Sequence, residues 1–364
     1  AFAAAVTVLV IACPCAMGLA VPAALTVAIG RGAQLGILFK SGNALERLAR
    51  IDTVALDKTG TLTEGKPRID NIHLAVGATE TEVLTAAASL EQRSEHPLAR
   101  AVLERASNAG VALREATNVR AIPGKGVTGT VDGHEVAAGN AALLAELGIE
   151  VPSGLMHGQA ASVLLIAIDD MYSGHFTARD EVRTGAAAAI MSLKKRGLRT
   201  IMLTGDNAAT AEAVAKETGV DEFHAALLPE QKLEYIRALQ ASGKKVAMVG
   251  DGINDAAALA QADAGIAMGT GTDLARAAGD AVLLRGEPLS IVATIDLARA
   301  TLRTMRANLG WALAYNVIGI PIAAGALYPL FGLLLSPTIA SAAMALSSVS
   351  VLGNSLLLRR FQTR

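Results

Sequence analysis

Three short polar clusters in this sequence each follow an apolar run, and each carries a carboxylate. Asp52–Leu56 (DTVAL) leads into Asp57-Lys58-Thr59-Gly60-Thr61. Thr200–Leu203 (TIML) leads into Thr204-Gly205-Asp206-Asn207, and Lys245–Val249 (KVAMV) into Gly250-Asp251-Gly252-Ile253-Asn254-Asp255. A carboxylate such as Asp57, beside a lysine and two threonines, suits nucleophilic attack on a phosphoryl group. Backbone N–H groups, Lys58 and a divalent cation can neutralise the transferring oxygens. Asp251 and Asp255 are hard oxygen donors that could hold Mg2+ with Asp57. Lys232, in Pro229-Glu230-Gln231-Lys232, is a candidate cation on the phosphate side. A lone Asp at a strand end is ordinarily a helix N-cap; three converging clusters are not explained that way.

A different chemistry sits near the start. Cys13 and Cys15, the two cysteines of the chain, flank Pro14 within an uncharged run. Thiolates are soft ligands and select Cu(I), Zn2+ or similar ions over Mg2+ or Ca2+. Two thiols one residue apart cannot face each other on a regular helix. A proline between them frees backbone carbonyls and can unwind the turn. Irregular backbone survives within a membrane where protein surrounds it or where it lines a pathway. The bland alternative is that Cys is a small apolar residue, and the proline argues against it.

The elements that must position these residues follow from pattern. The apolar runs are short strands, followed by helical patterns at Ala208–Thr218 and Ala256–Ala262. Strands alternating with helices indicate a parallel sheet, whose ligands sit beyond the carboxyl ends of the strands. The segment Pro67–Thr177 has alternating patterns of its own, such as Gly129–Ala137 (GTVDGHEVA), and reads as a second domain inserted into the first.

The chain has 364 residues, which favours two or more domains. It is 52 % hydrophobic and 18 % charged, and the apolar excess is concentrated: Ala1–Gly30 and Ala307–Leu358 carry no charge. A transmembrane helix needs about 20 apolar residues, so the first run supplies one span and the second two. The first run lacks the basic leading region of a signal peptide. A net charge of −1 gives no reason to expect nucleic-acid binding. The middle of the chain has no cysteine, hence no disulfide, and reads as cytosolic. Arg31, Lys40, Arg299, Arg303, Arg306, Arg359, Arg360 and Arg364 flank the apolar runs, which puts these flanks on the cytoplasmic side. The second run is then a hairpin with its outer turn near Tyr328–Pro337.

DKTGT, TGDN and GDGINDAAAL resemble the phosphorylation domain of P-type ATPases, a branch of the haloacid dehalogenase-like fold. The resemblance implies that Asp57 becomes phosphorylated, with Lys58, Thr59, Thr204, Gly205, Asp206, Lys232 and Asn254 around it and Mg2+ on Asp57, Thr59, Asp251 and Asp255. Phosphatases of that superfamily carry a second Asp two residues after the nucleophile. Here that place is Thr59, so nothing on the loop hastens hydrolysis. Ser94–Ala99 (SEHPLA) resembles the nucleotide-domain signature of heavy-metal P-type ATPases, which implies ATP contacts from Glu91, His96, Gly124, Gly126 and Asn140. The literal GxGxxG at Gly124–Gly129 is not a dinucleotide site, because no strand–helix unit frames it. Asp180 and Arg183 match a motif of the returning phosphorylation domain.

In the second apolar run, Asn308, Tyr315-Asn316, Pro321 and Met344–Ser348 resemble the copper(I) branch. The implied ion site is Cys13, Cys15, Tyr315, Asn316, Met344 and Ser347. The runs contain no Asp, Glu or Lys to balance a divalent ion, which favours a monovalent, thiolate-held one. For Asn316 and the serines the alternative is interhelical hydrogen bonding.

The expected fold is thus membrane helices plus an α/β haloacid dehalogenase-like phosphorylation domain with an inserted α+β nucleotide-binding domain. Expected boundaries are a span with the cysteine site at 1–30, a cytoplasmic linker at 31–50, the phosphorylation domain at 51–66 and 178–290, and the nucleotide domain at 67–177. A linker helix at 291–306, two spans at 307–358 and a tail at 359–364 complete it. The implied activity is ATP-driven export of copper(I). Its cofactors are ATP and Mg2+, and its partners are copper, membrane lipid and a cytosolic copper chaperone, in a bacterial inner membrane. No Thr-Gly-Glu triplet of an actuator domain is present. The chain is therefore expected to be a C-terminal piece that binds ATP but does not complete a cycle alone. Rivals are a zinc/cadmium pump, a membrane-tethered phosphatase and a catalytically silent metal-binding membrane protein.

Overall fold

The computed structural model describes residues 2–362 apart from 93, 95–96, 153–160, 252–254 and 270. Along the chain run α1 (Phe2–Ile11), α2 (Cys15–Gln34), β1 (Ile37–Phe39), α3 (Gly42–Ala49), β2 (Thr53–Asp57), β3 (Thr63–Leu74), α4 (Glu80–Glu91) and α5 (Pro97–Asn108). Next come β4 (Ala116–Ile122), β5 (Gly126–Val131), β6 (His134–Gly139), α6 (Ala141–Glu146), β7 (Ser162–Ile168), β8 (Met171–Val182), α7 (Ala186–Lys195), β9 (Arg199–Leu203), α8 (Ala208–Thr218) and β10 (Glu222–His224). The rest is α9 (Pro229–Ala241), β11 (Val246–Gly250), α10 (Ala256–Gln261), β12 (Ala264–Met268), α11 (Asp273–Ala278), β13 (Ala281–Leu283), α12 (Leu289–Ala323), α13 (Tyr328–Phe331) and α14 (Pro337–Leu356).

Two compact units divide these elements. The first holds Ala1–Ala55, Ser192–Arg199 and Leu233–Arg364. Its helical part is a bundle of α1, α2, α12 and α14, and the sequence explains why they pack closely. Residues Ala16, Ala20, Ala24, Ala28 and Gly32 repeat every four positions along α2 and are all buried. This stripe of small side chains lets helix backbones approach, the main source of helix attraction where the surroundings are themselves apolar. The opposite surface is greasy: Leu9, Trp311, Val317, Ile318, Leu346 and Val349 all stand exposed. The helical stretches Ala4–Gln34 and Pro337–Arg360 are long and apolar enough to cross a membrane.

The expected linker helix and first span of the second run are one continuous helix. α12 runs 35 residues without a break, with Pro321 confined to its last turn. Asp296, near its start, receives a forked pair of hydrogen bonds from Arg196, and Arg299 donates to the carbonyls of Arg196 and Ile51. The long helix is thus bolted to the segment that enters β2. In the same unit β1 pairs antiparallel with β13, and β13, β12 and β11 run parallel. β11 and β12 are buried on both faces, as a covered parallel sheet requires.

The second unit holds Leu56–Met191 and Thr200–Lys232. Most of it is a six-stranded antiparallel sheet in the order β3-β8-β7-β6-β5-β4. One face packs Val136, Ile166 and Phe176 against Leu84 and Leu90 of α4 and Val102 of α5. The other packs Ala137 and Leu165 against Leu143 and Leu144 of α6. β9 and β10 form a parallel pair. β2 takes its place in a seven-stranded order, β1-β13-β12-β11-β2-β9-β10. Its start is fixed by short bonds: the Thr53 N–H donates to Lys245 C=O at 3.2 Å and the Arg199 N–H to Asp52 C=O at 3.0 Å.

Candidate phosphorylation and ion sites

Asp57 is the last residue of β2, a strand with all five residues buried. The chain then turns sharply through Lys58–Leu62, where Gly60 sits at φ 71°. A side chain would be strained there. Arg183, just past β8, clamps this turn by donating to the carbonyls of Gly60 and Thr63. Asp180 accepts from the Thr63 hydroxyl and the Lys66 N–H. The two residues matched by motif therefore brace the outgoing and returning strands beside the loop.

The charges of the loop are paired. Asp57 is 5 % exposed and its carboxylate bonds the Lys232 ammonium, itself buried at the start of α9. Lys58, 3 % exposed, pairs with Asp206. Burying either lysine without a partner would be costly; each ion pair balances the charge. Thr204, buried, follows directly after β9, and its hydroxyl accepts from the Asp206 N–H at 3.1 Å. That bond, with Ala226 N–H on the Asp206 carbonyl at 2.7 Å, fixes the Thr204-Gly205-Asp206 turn. Thr59 follows Lys58 in an extended conformation. The predicted residues Asp57, Lys58, Thr59, Thr204, Gly205, Asp206 and Lys232 thus gather within one unit. Thr61, a neighbour left without a role by the sequence, has a buried hydroxyl with no partner.

In the first unit, Asp251 follows β11 and Asp255 opens α10. A side chain at Gly250 would meet the Asp255 carboxylate at 2.8 Å, so that carboxylate lies directly over the strand end. Asn254 and His96 lie outside the described residues.

A cavity of about 480 Å³ opens on the six-stranded sheet, lined by Glu91, Gly124, Gly126, Asn140, Lys125 and Leu98 among others. Four of the five predicted nucleotide contacts therefore share one pocket. Two of them also have structural duties. Asn140 caps α6 through Leu143 N–H and donates to Gly124 C=O at 2.8 Å. Gly126 faces Gly139 across two strands so close that a Cβ would sit 2.3 Å from the Ala138 carbonyl. Close approach at Gly126 is thus strand to strand. Lys125 was passed over in the sequence, although its place between the two glycines signals a cation at the pocket rim.

In the first unit the helix breaks where the proline says it should. α1 stops at Ile11, Pro14 caps α2, and Cys13 and Cys15 meet with Cα atoms 5.4 Å apart. The expected pair of free thiols is joined here as a disulfide. Sulfurs so joined are not thiolate ligands. Cys13 packs on a small cluster with Met344, Ile11, Ile320 and Ala323. Asn316 Oδ1 and Ser347 Oγ are buried without a hydrogen-bond partner. Ser348, by contrast, bonds back to the Met344 carbonyl. Tyr315 is half-buried on α12 beside Asn316. Orphaned polar atoms in an apolar bundle are costly.

Residues 51–263 match the haloacid dehalogenase-like hydrolase family, and the chain belongs to it. It is 50 % identical over 98 % of its length to a copper-transporting P-type ATPase of Rhizobium leguminosarum bv. viciae, covering 43 % of that protein. It is similar in structure to a zinc-transporting PIB-type ATPase in the E2.Pi state: TM-score 0.77, 39 % identity, covering 96 % of this chain and 57 % of the other. It also resembles the catalytic domain of the CPx-ATPase CopB-B, with TM-score 0.63 and 30 % identity, covering 73 % of this chain and 98 % of that domain. Within that family the chain belongs to the P-type ATPases. It spans about half the length of the curated relatives it matches.

Proposed function

We propose that the chain is the catalytic and ion-binding part of an ATP-driven copper(I) exporter. The reading rests above all on one observation: Cys13 and Met344 share a cluster in the same bundle where Asn316 and Ser347 keep unpartnered oxygens, all four lying in the two uncharged runs. Thiolate and thioether donors suit Cu(I). A zinc relative exists among the similar structures, but Zn2+ held by these helices would lack a balancing carboxylate, as the two uncharged runs show. Cys13, Cys15, Tyr315, Asn316, Met344 and Ser347 are the proposed ligands once the cysteines are reduced.

At the phosphorylation loop, an Asp57 carboxylate oxygen forms a bond to the γ-phosphorus of ATP. The bond to the β–γ bridging oxygen breaks, and ADP leaves. Lys232 and Lys58 hold charge beside that carboxylate, and the Thr204-Gly205-Asp206 turn keeps Lys58 in place. Asp57, Asp251 and Asp255 are hard oxygen donors, and a Mg2+ role is assigned to them together with Thr59. Mg2+ bound there would offset negative charge on the transferring phosphoryl oxygens. Nucleotide binding is assigned to the pocket of Glu91, Gly124, Gly126 and Asn140, with His96 as a further contact. The setting is a bacterial inner membrane with the catalytic units in the cytoplasm and a cytosolic chaperone as copper donor.

The test is phosphorylation of the full-length gene product from γ-labelled ATP, with Cu(I) supplied or chelated. Wild type should label only with Cu(I), Asp57→Asn should never label, and Cys13→Ser should bind ATP without labelling. A response to Zn2+ and not to Cu(I) would overturn the copper reading. Equal labelling of wild type and Asp57→Asn would overturn the enzyme reading.

A further inference from the structure

The cavity on the six-stranded sheet carries a cation that the sequence left without a role. Its walls are mostly apolar, with Val119, Ala121, Ile122, Val163 and Leu164 among them, a lining suited to a flat ring. Among the described residues that line it, Lys125 alone is positively charged. Lys125 stands in the turn between β4 and β5, and its backbone is pinned on both sides. Its N–H donates to the Ile122 carbonyl at 3.0 Å, and its carbonyl accepts from the Asn140 N–H at 2.8 Å. Only the side chain is left to move. Its ammonium meets the carboxylate of Glu146, the last residue of α6, at 2.5 Å. Glu146 lies outside the cavity lining.

That pair is weak. Its side chains are 40 % and 54 % exposed, and an ion pair in such a setting contributes little. Glu146 also occupies the helix end that disfavours negative charge. The space beside Lys125 is open: a Cβ on Gly124 would meet nothing within 4 Å. From this placement we infer that Lys125 reads the phosphates of the bound nucleotide, and that Glu146 holds it aside while the cavity is empty. This rests on the nucleotide reading of the cavity and adds what the site discriminates, a nucleoside polyphosphate from a nucleoside. The apolar walls take the ring of either ligand and are blind to phosphate. A diphosphate carries more charge than one carboxylate and offers several acceptor oxygens, so it displaces Glu146 from the ammonium. Lysine meets phosphate as a compact charge on a flexible stem, which can carry it across from α6. Lys125 is then a specificity residue, and Glu146 a positioning residue that acts through it.

The experiment measures binding of ADP, AMP and adenosine to the full chain in detergent by titration calorimetry, with divalent cations chelated. None of these ligands has a γ-phosphate, so no phosphoryl transfer intrudes and the role of Asp57 is not tested. The wild type should bind ADP most tightly and adenosine least. Lys125→Gln should weaken ADP by about tenfold and leave adenosine unchanged. Lys125→Arg, which keeps the charge, should restore most of the ADP affinity. Glu146→Gln should tighten ADP by about two- to fivefold, and that gain should vanish in the Lys125→Gln background. A lysine that only shapes the turn would move ADP and adenosine alike, so equal weakening of both in Lys125→Gln overturns the inference. Unchanged ADP affinity in Lys125→Gln overturns it too, and leaves the nucleotide reading of the cavity standing. A wild type that binds none of the ligands removes that reading and this inference together. A Glu146→Gln gain that persists without Lys125 overturns the role of Glu146.

Discussion

Two asparagines on α12, Asn308 and Asn316, stand about two turns apart in the same apolar bundle, and their surroundings differ completely. Asn308 is fully buried and fully satisfied. Its amide donates to the Ala20 carbonyl and the Ser355 hydroxyl, and its oxygen accepts from Asn354. It ties α2, α12 and α14 together. Asn316 has a buried oxygen with nothing to bond. The sequence offered interhelical hydrogen bonding as the alternative role for Asn316; the structure gives that role to Asn308. The lesson is that two residues of one type on one apolar helix differ in what holds them, and the hydrogen-bond inventory shows that Asn308 ties the bundle and that the Asn316 oxygen does not.

Substitution should pull the two apart. Asn316→Leu removes a proposed ligand and an unsatisfied oxygen together. Cu(I)-dependent phosphorylation of the full-length protein should fall by more than about tenfold, with thermal unfolding in detergent almost unchanged. If Asn316→Leu instead unfolds the bundle with no loss of copper response at permissive temperature, the two asparagines are alike and the comparison collapses.

Asn308→Leu should do the reverse. It deletes three hydrogen bonds and strands the Asn354 amide, at a cost of about 1–3 kcal/mol. The expected result is a clearly lowered unfolding temperature with Cu(I)-stimulated labelling retained below it. Loss of labelling without loss of stability would place Asn308 on the ion route.

How much of this was legible beforehand depends on how local each feature is. The Asp57 loop, the strand–turn–helix repeats and the proline break were readable because each is written in consecutive residues. The pairing of Lys58 with Asp206 and of Asp57 with Lys232 was not, since each joins segments more than a hundred residues apart. The same holds for Asn308 and its partners, and for Gly126, whose need for a missing side chain lies in Gly139 across the sheet. The continuous α12 was hidden for another reason. Composition changes sharply near Arg306 whereas helical geometry does not, so a polarity boundary was taken for a structural one.

A smaller effect probes the packing that brings the two ends of the bundle together. A Cβ at Gly319 would lie 2.7 Å from Ile11 Cδ1, at the crossing of α1 with α12. Gly319→Ala should cost about 1 kcal/mol, since the Ile11 methyl can yield part of the distance. The measurement is again thermal unfolding in detergent, and a larger drop in Cu(I) response than in stability would show that this crossing sets the position of Cys13 relative to Met344.

The smallest prediction carries the comparison outside the bundle, to a buried polar atom that is also titratable. His175 is held below its ordinary value of about 6.5 by burial first and by the charge on His73 second. A group whose folded value is depressed contributes stability that is complete above its unfolded value and is lost as pH falls. Protection of β7 and β8 against hydrogen exchange should therefore weaken as pH drops from 7 toward 5, after correction for intrinsic exchange rates. His175→Phe should flatten that dependence. His134 tests the sign, because its bond and charge interaction with Asp169 raise its value instead. Its contribution is present at low pH and fades as pH rises above 6.5. A His134→Asn chain should thus lose protection mainly at the acid end, and the same pH slope in both variants would mean that burial, and not charge pairing, governs every histidine on this sheet.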